Sequence, residues 1–399
     1  MSIPNVRELC MEHWQPIALY GGLFAFLAAL LAYRLGTLLH GYSPAAVQGY
    51  QDGASLHLIL QHPLNLPFSL LALGITKLHV HNALLVLRGA TAALGFGVLV
   101  MFCALLRHWH DRRTALFGTL LLGTSSWFLA IARGGTPSIL LFGLFGLIAC
   151  GVWLRATGNP IAVLLGLVLA AVLVYTPGMI WLIGLGIVWQ WKAIDRAFKE
   201  HLGVVTLAGF LFVGVLVPLA LSIYHHPDTF KPFLNFPAEG WPAPFTALHH
   251  LLLVPLRIFV HGQSDGATIL SQLPMLNVFD GMMFLLGGYL YLRHIGLHRS
   301  RLFMAIFLGG AVVASLGGST DIGLLLPFLY LVIAVGVAYM LDRWFAVFPR
   351  NPIAQGVGLA VMGSVIALAC AYHLRLYYVA WPQSAATQVL YSLPDPSSK

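Results

Sequence analysis

Mostly apolar runs of about 15–25 residues, the length class of membrane-spanning helices, fill this chain almost from end to end. Short polar turns separate them. Eleven spans are expected on this pattern, at residues 16–39, 80–106, 114–132, 137–155, 160–175, 178–191, 203–224, 275–293, 302–317, 322–341 and 353–376. The two spans flanking Tyr175-Thr176-Pro177-Gly178 are short and read as a tight hairpin. Two connections are long, residues 40–79 and 225–274. In the first, Ser43-Pro44 is an N-cap followed by proline at the first helical position. The helix it starts carries Val47, Tyr50, Ala54 and Leu58 along one side, which suits a helix lying on a membrane surface. Pro63 and Pro67 stop it, and a second, more apolar short helix is expected from Pro67 to Leu78. The second long connection is rich in Pro, His and aromatic residues and ends in an amphipathic stretch, FTALHHLLLVPLRIFVHG, which also reads as interfacial.

Composition narrows the picture to an all-α polytopic protein with a single integral membrane domain over residues 1–399. Only 9% of the 399 residues are charged and 59% are hydrophobic; a soluble domain carries about 25% charge. No long polar stretch remains to build a large soluble unit. The first 16 residues lack a basic leader and hold Glu8 and Glu12, so the first apolar run reads as a retained helix. Cys10, Cys103, Cys150 and Cys370 are scattered, without CxxC or His/Cys spacing, which supports neither a disulfide framework nor a zinc site.

Charge adds an orientation. Arg107, Arg112 and Arg113, then Arg155, then Lys192, Arg196 and Lys199, then Arg293, Arg299 and Arg301, then Arg343 and Arg350 fall on alternate turns. Asp52, Asp228, Glu239, Asp265 and Asp321 fall on the others. Cytoplasmic loops retain Lys and Arg, so the expected topology has the N-terminus in the cytoplasm and the tail from 377 outside, in the plasma membrane. The net charge of +8 is spread over five turns and reads as topogenic rather than as a nucleic-acid surface. Of the 17 histidines, His79 and His81, His225 and His226, His249 and His250, and His261 are expected outside. Adjacent histidines do not share a helix face and no acid stands beside them at ligand spacing, so no metal is assigned and no cofactor is expected. No inverted repeat supports a transporter.

Several stretches carry a resemblance. These are LNLPFSLLALGITKL; VLRGATAALGFGVLVMFCALLRHWHDRRTALFGTLLLGTSSWFLAIARGGTPSILL; and LLLPFLYLVIAVGVAYML with the later FPRNP and YYVAWP. In this order they resemble the GT-C superfamily of membrane glycosyltransferases, specifically the bacterial relatives of protein O-mannosyltransferases and of lipid A aminoarabinose transferase. The resemblance covers residues 16–190 and, more loosely, 320–382. It implies a GT-C-like architecture with interfacial helices in the first external loop. It also implies transfer of a sugar from a polyprenyl-phosphate carrier to an extracytoplasmic acceptor, among membrane lipids and without nucleic acid.

Such transfer needs a base for the acceptor proton and cations for the departing phosphate. The family usually carries an acid just after the first span, where this chain reads Ser43-Pro44-Ala45-Ala46-Val47. Asp52, about two helical turns later, is the candidate base. Arg133 is the first candidate for the phosphate, followed by Arg88, Arg257 and Lys77, because arginine offers a planar fork of donors. Asp265 and Asp321 are candidate substrate contacts, and Asp280 is a candidate intramembrane acid. The missing acid at Ala45-Ala46 keeps a second reading open: a catalytically degenerate GT-C-like scaffold or lipid-binding protein.

Overall fold

The computed structural model describes residues 6–39, 41–78, 82–237, 240–241, 243–262, 273–318, 320 and 322–394, with the side chains of 6–17 left aside. The described chain is helical. α1 (Val6–Ala32) leads into the first long connection, which holds α2 (Pro44–Asp52), α3 (Leu56–Gln61) and α4 (Leu66–Lys77). Ser43 caps α2 by accepting from the Ala46 amide at 3.3 Å, with Pro44 in its first turn. The expected single helix through Leu58 is broken at Gly53. Ser55 starts α3 with its own cap, accepting from the Leu58 amide at 3.3 Å. The reason is a close crossing: a Cβ on Gly53 would lie 2.5 Å from the Ala72 Cβ and 2.7 Å from the Ser69 carbonyl of α4.

The bundle begins with α5 (Ala83–Trp109), then α6 (Arg112–Thr124) and α7 (Ser126–Arg133). The expected span over 114–132 is bent by 64° between these last two. Ser125 leaves the helical region at ψ 131° and accepts from the Phe128 amide at 3.4 Å. A serine that caps a new helix competes with continuation of the old one. A 3-10 turn, Pro137–Gly143, runs into α8 (Leu144–Thr157), followed by α9 (Pro160–Val174), α10 (Met179–Glu200) and α11 (Leu202–His225). The hairpin between α9 and α10 turns at Gly178, where φ is +75°.

The second long connection holds the single turn α12 (Phe230–Phe233) and the amphipathic α13 (Pro244–Phe259). α13 buries Val254 and Ile258 and exposes Phe245 and Leu252. Then come α14 (Val278–Arg293), α15 (His298–Ser315), α16 (Leu326–Val347), α17 (Pro352–Arg375), and the short α18 (Trp381–Gln383) and α19 (Ala385–Leu390). α16 is the axis of the bundle, buried at every position from Leu326 to Ala334 and packed against α14, α6 and α17. Its contact with α14 is very close: a Cβ on Gly336 would overlap the Met283 carbonyl, and one on Gly287 the Val332 carbonyl. Small residues at such crossings let backbones meet.

α11 and α17 instead expose apolar faces, including Phe210, Val213 and Val217 on one and Ile353, Val361 and Leu368 on the other. Apolar surface of that extent belongs in lipid. Helices occupy all eleven expected segments for most of their length; among the described residues five are long and apolar enough to cross a membrane, six with the bent pair taken as one span. The chain is a multi-pass membrane protein.

Candidate functional site

Two arginines are buried at the end of the bundle away from the basic turns. Arg88 stands in the second turn of α5 and is 3% exposed. Its Nη2 donates to the Gly41 carbonyl at 2.6 Å, and its guanidinium lies 4.2 Å from the centre of the Tyr42 ring. Gly41 is pinned in turn by the C-terminal segment. Tyr42 and Leu393 form an antiparallel bridge, and a Cβ on Gly41 would meet the Tyr391 carbonyl at 2.6 Å. Arg133 ends α7 and is also 3% exposed. It donates to the Tyr33 carbonyl, and its guanidinium faces the Tyr377 and Tyr378 rings at 5.2 and 5.1 Å.

These two tyrosines lie on a π-helical turn, Leu376–Ala380, that continues α17; such turns occur frequently at functional sites. Tyr377 is within electrostatic range of both arginines. Cation–π contacts compensate part of the cost of burying a guanidinium, but the Nε and Nη1 of Arg133 are buried without a hydrogen bond of good geometry. The ion pairs among the described residues, Lys199–Asp195 and His373–Asp280, involve neither arginine. Two buried cations without a carboxylate partner make a site suited to an anion.

A cavity of about 270 Å³ lies nearby, lined by Gly134, the chain neighbour of Arg133, and by Tyr391 but by neither arginine. Ser43, Pro44 and Ala45 of the first long connection form one side, Ala130, Ile131 and Gly134 another, and Leu390 and Tyr391 close it. Tyr391 is also within electrostatic range of Arg88. Thr136 and Ser138 supply hydroxyls; no carboxylate lines it among the described residues.

The structure thus brings Arg88 and Arg133 together and sets the other candidates apart. Asp52 ends α2, about 12 Å along the helix axis from Pro44 at 1.5 Å per residue. It is half-buried, and that burial raises its pKa above the ordinary carboxylate value against a smaller opposite pull from His62. Lys77 is exposed in the last turn of α4, and Arg257 is half-buried on α13; neither lines the cavity. Asp265 and Asp321 lie outside the described residues.

A second polar cluster sits deeper. Asp280, fully buried near the start of α14, accepts through Oδ2 from Tyr330 at 3.1 Å and from His373 Nε2 at 2.9 Å. Its backbone amide donates to the Asn277 side chain at 2.8 Å. His373 Nδ1 lies 3.4 Å from the Ser126 hydroxyl at the α6–α7 break. The cluster ties α14, α16, α17 and α7 together one helical turn below Tyr377. Asp280 is visible in the sequence as an acid within an apolar run; sequence reasoning assigns His373 and Tyr330 no role and reads Tyr377 and Tyr378 as part of an interfacial aromatic belt, whereas both face the buried Arg133. A lone histidine in the last apolar run was the available signal.

No protein-family model matches the sequence, and no curated protein does. Solved structures do share its arrangement. ArnT from Cupriavidus metallidurans in the apo state superposes with a TM-score of 0.53 at 14% identity, over 93% of this chain and 76% of that one. ArnT of the same organism bound to undecaprenyl phosphate gives 0.46 at 13% identity, over 94% and 77%. The chain therefore shares the polytopic helical fold of that apo ArnT structure, and its first long connection holds the short helices α2, α3 and α4.

Proposed function

We propose that this protein is a glycosyltransferase that takes a sugar from a polyprenyl-phosphate carrier and passes it to an extracytoplasmic acceptor. The observation that carries the reading is the pair of buried, carboxylate-free arginines, Arg88 and Arg133, beside a cavity at one end of a GT-C-like bundle. In this reading Arg133 takes the carrier phosphate with Nε and Nη1, which have no hydrogen bond of good geometry, and Arg88 supports it from the Tyr42 side. Asp52 is the base: burial raises its pKa above the ordinary carboxylate value, and α2 has to shift toward the cavity when substrate binds. Arg257 and Lys77 steer the anionic carrier from the interface, and Asp265 and Asp321 contact the sugar or acceptor. The bundle sits in the plasma membrane with eleven spans, its basic turns cytoplasmic and the arginine cavity outside.

The direct test is carrier binding to purified protein by native mass spectrometry. Arg133→Ala is expected to weaken it about ten- to a hundred-fold, the loss of a charge-assisted hydrogen bond of about 1.5–3 kcal/mol. Unchanged affinity removes Arg133 from the site. Topology is tested by single cysteines in a cysteine-free background. Trp241→Cys and Val389→Cys should react with an impermeant reagent from outside and Phe198→Cys should not; labelling of all three overturns the orientation.

One observation favours a second reading. The cavity is lined by no carboxylate among the described residues, as in a scaffold that retains the carrier without transferring its sugar. Carrier binding with no transfer to any acceptor class would select it.

A further inference from the structure

At the end of the bundle that carries the basic turns, α8, α9, α10 and α15 enclose an apolar crevice of about 130 Å³. Ile148, Leu167, Leu182, Ile187, Leu302 and Ile306 are among the side chains that line it. Leu165 of α9 and Val188 and Trp181 of α10 are exposed on the same helices, so a chain leaving the crevice would run along an apolar surface. The crevice opens into a wider polar cavity of about 700 Å³ at the helix ends, with Leu154 and Gln190 lining both. Arg155, Lys192, Arg196 and Arg301 surround this cavity, against one carboxylate, Glu200. None of the four is ion-paired among the described residues. Arg155 hydrogen-bonds the ring of His298, which also receives the Trp189 indole N–H at 3.0 Å. At the join, Gln190 keeps a buried side-chain oxygen with no hydrogen-bond partner.

We propose that crevice and cavity together form a binding site for an anionic glycerophospholipid of the leaflet at the basic end. The phosphate would sit among Arg155, Lys192, Arg196 and Arg301, part of one acyl chain would fill the crevice, and the Gln190 oxygen would accept from a hydroxyl of the glycerol or head group. Charge decides the sign of the ligand: four cations against one anion. Continuity decides its class, because a free anion would use only the polar half and a neutral lipid only the apolar half. Basic pockets between membrane helices are known to favour anionic head groups. This site lies at the opposite end of the bundle from Arg88 and Arg133 and does not depend on what that end does.

The experiment titrates delipidated full-length protein with phosphatidylglycerol, phosphatidylcholine or inorganic phosphate and counts bound lipid by native mass spectrometry. Phosphatidylglycerol should bind at least tenfold more tightly than phosphatidylcholine, and inorganic phosphate should not displace it at equal concentration. Each cation near an anionic surface contributes about fivefold, so Lys192→Gln with Arg196→Gln should lower phosphatidylglycerol affinity roughly 25-fold. Among the described residues neither side chain makes a hydrogen bond or an ion pair, so the fold should survive. Gly186→Leu probes the other half. A Cβ there meets no atom within 4 Å, so the new side chain starts into open space at the crevice wall. It should reduce phosphatidylglycerol affinity on the order of tenfold, the loss of about two buried methylenes. Equal binding of the two lipids, displacement by inorganic phosphate, or full affinity in either variant overturns the proposal.

Discussion

The same residue type is used in opposite ways at the two ends of this bundle. Arg88 and Arg133 are buried, each fixed by a backbone carbonyl and faced by tyrosine rings. Arg155, Lys192, Arg196 and Arg301 ring an open cavity, and among the described residues the side-chain hydrogen bond they make is that of Arg155 with His298. A guanidinium held in one orientation, with donors left over, can recognise one phosphate geometry. Cations on free side chains attract negative charge without ordering it, and cost little because water solvates them. The first arrangement is a site with a fixed geometry; the second is an electrostatic surface that gains specificity only from the crevice beside it.

Substitutions at the two ends should separate these roles. The largest expected effect is on turnover. If transfer occurs, Asp52→Asn should lower it at least about a hundred-fold with carrier affinity unchanged, since a positioned base contributes about 10²–10⁴-fold. The acid limb of the parent's rate–pH profile should then lie above the ordinary carboxylate value of 3.8, because burial raises the Asp52 pKa and activity requires its ionised form. The Asn variant should lose that limb. Transfer within a few-fold of the parent would clear Asp52 of any catalytic part.

Next in size is the carrier affinity itself. Arg133→Lys should behave almost as badly as Arg133→Ala, about tenfold weaker or more, because an ammonium cannot reproduce a planar fork. Arg196→Ala at the other end should leave carrier affinity unchanged. Equal losses from both would show that total charge, not geometry, attracts the carrier.

A smaller effect is expected below the site. His373→Ala should destabilise the fold by about 1–3 kcal/mol by leaving the buried Asp280 carboxylate with the Tyr330 hydroxyl but no imidazole. Adding Asp280→Leu should restore much of this, since replacing both partners removes the unsatisfied group. Unfolding in mixed detergent reads both; no rescue would mean that His373 is held by packing alone.

The smallest effect is a difference in pH response. At the basic end, burial and nearby Arg299 hold the pKa of His110 at about 4, below its ordinary 6.5. The unfolded chain therefore takes up the proton first. Its contribution to stability is complete above pH 6.5 and is lost as pH falls toward 4. His110→Gln should flatten the fall in thermal stability between pH 6.5 and 4; an unaltered slope would assign the response to other groups.

Sequence alone established the membrane class and the order of the helices, because burial in lipid demands long apolar runs that anyone can read along one dimension. It also identified both buried arginines and the Ser43 cap of α2, since each is announced locally. It could not reveal the break at Gly53 or the bend at Ser125, which depend on what crosses or caps there. Nor could it reveal that residues 280, 330 and 373 share hydrogen bonds, or that Tyr377 and Tyr378 cover Arg133. Those meetings follow from which glycine faces allow helices to touch, as Gly287 and Gly336 do for α14 and α16. In an apolar solvent every helix face is acceptable to lipid, so periodicity marks no inward side. Only close packing and the pairing of buried polar groups, both tertiary, choose one.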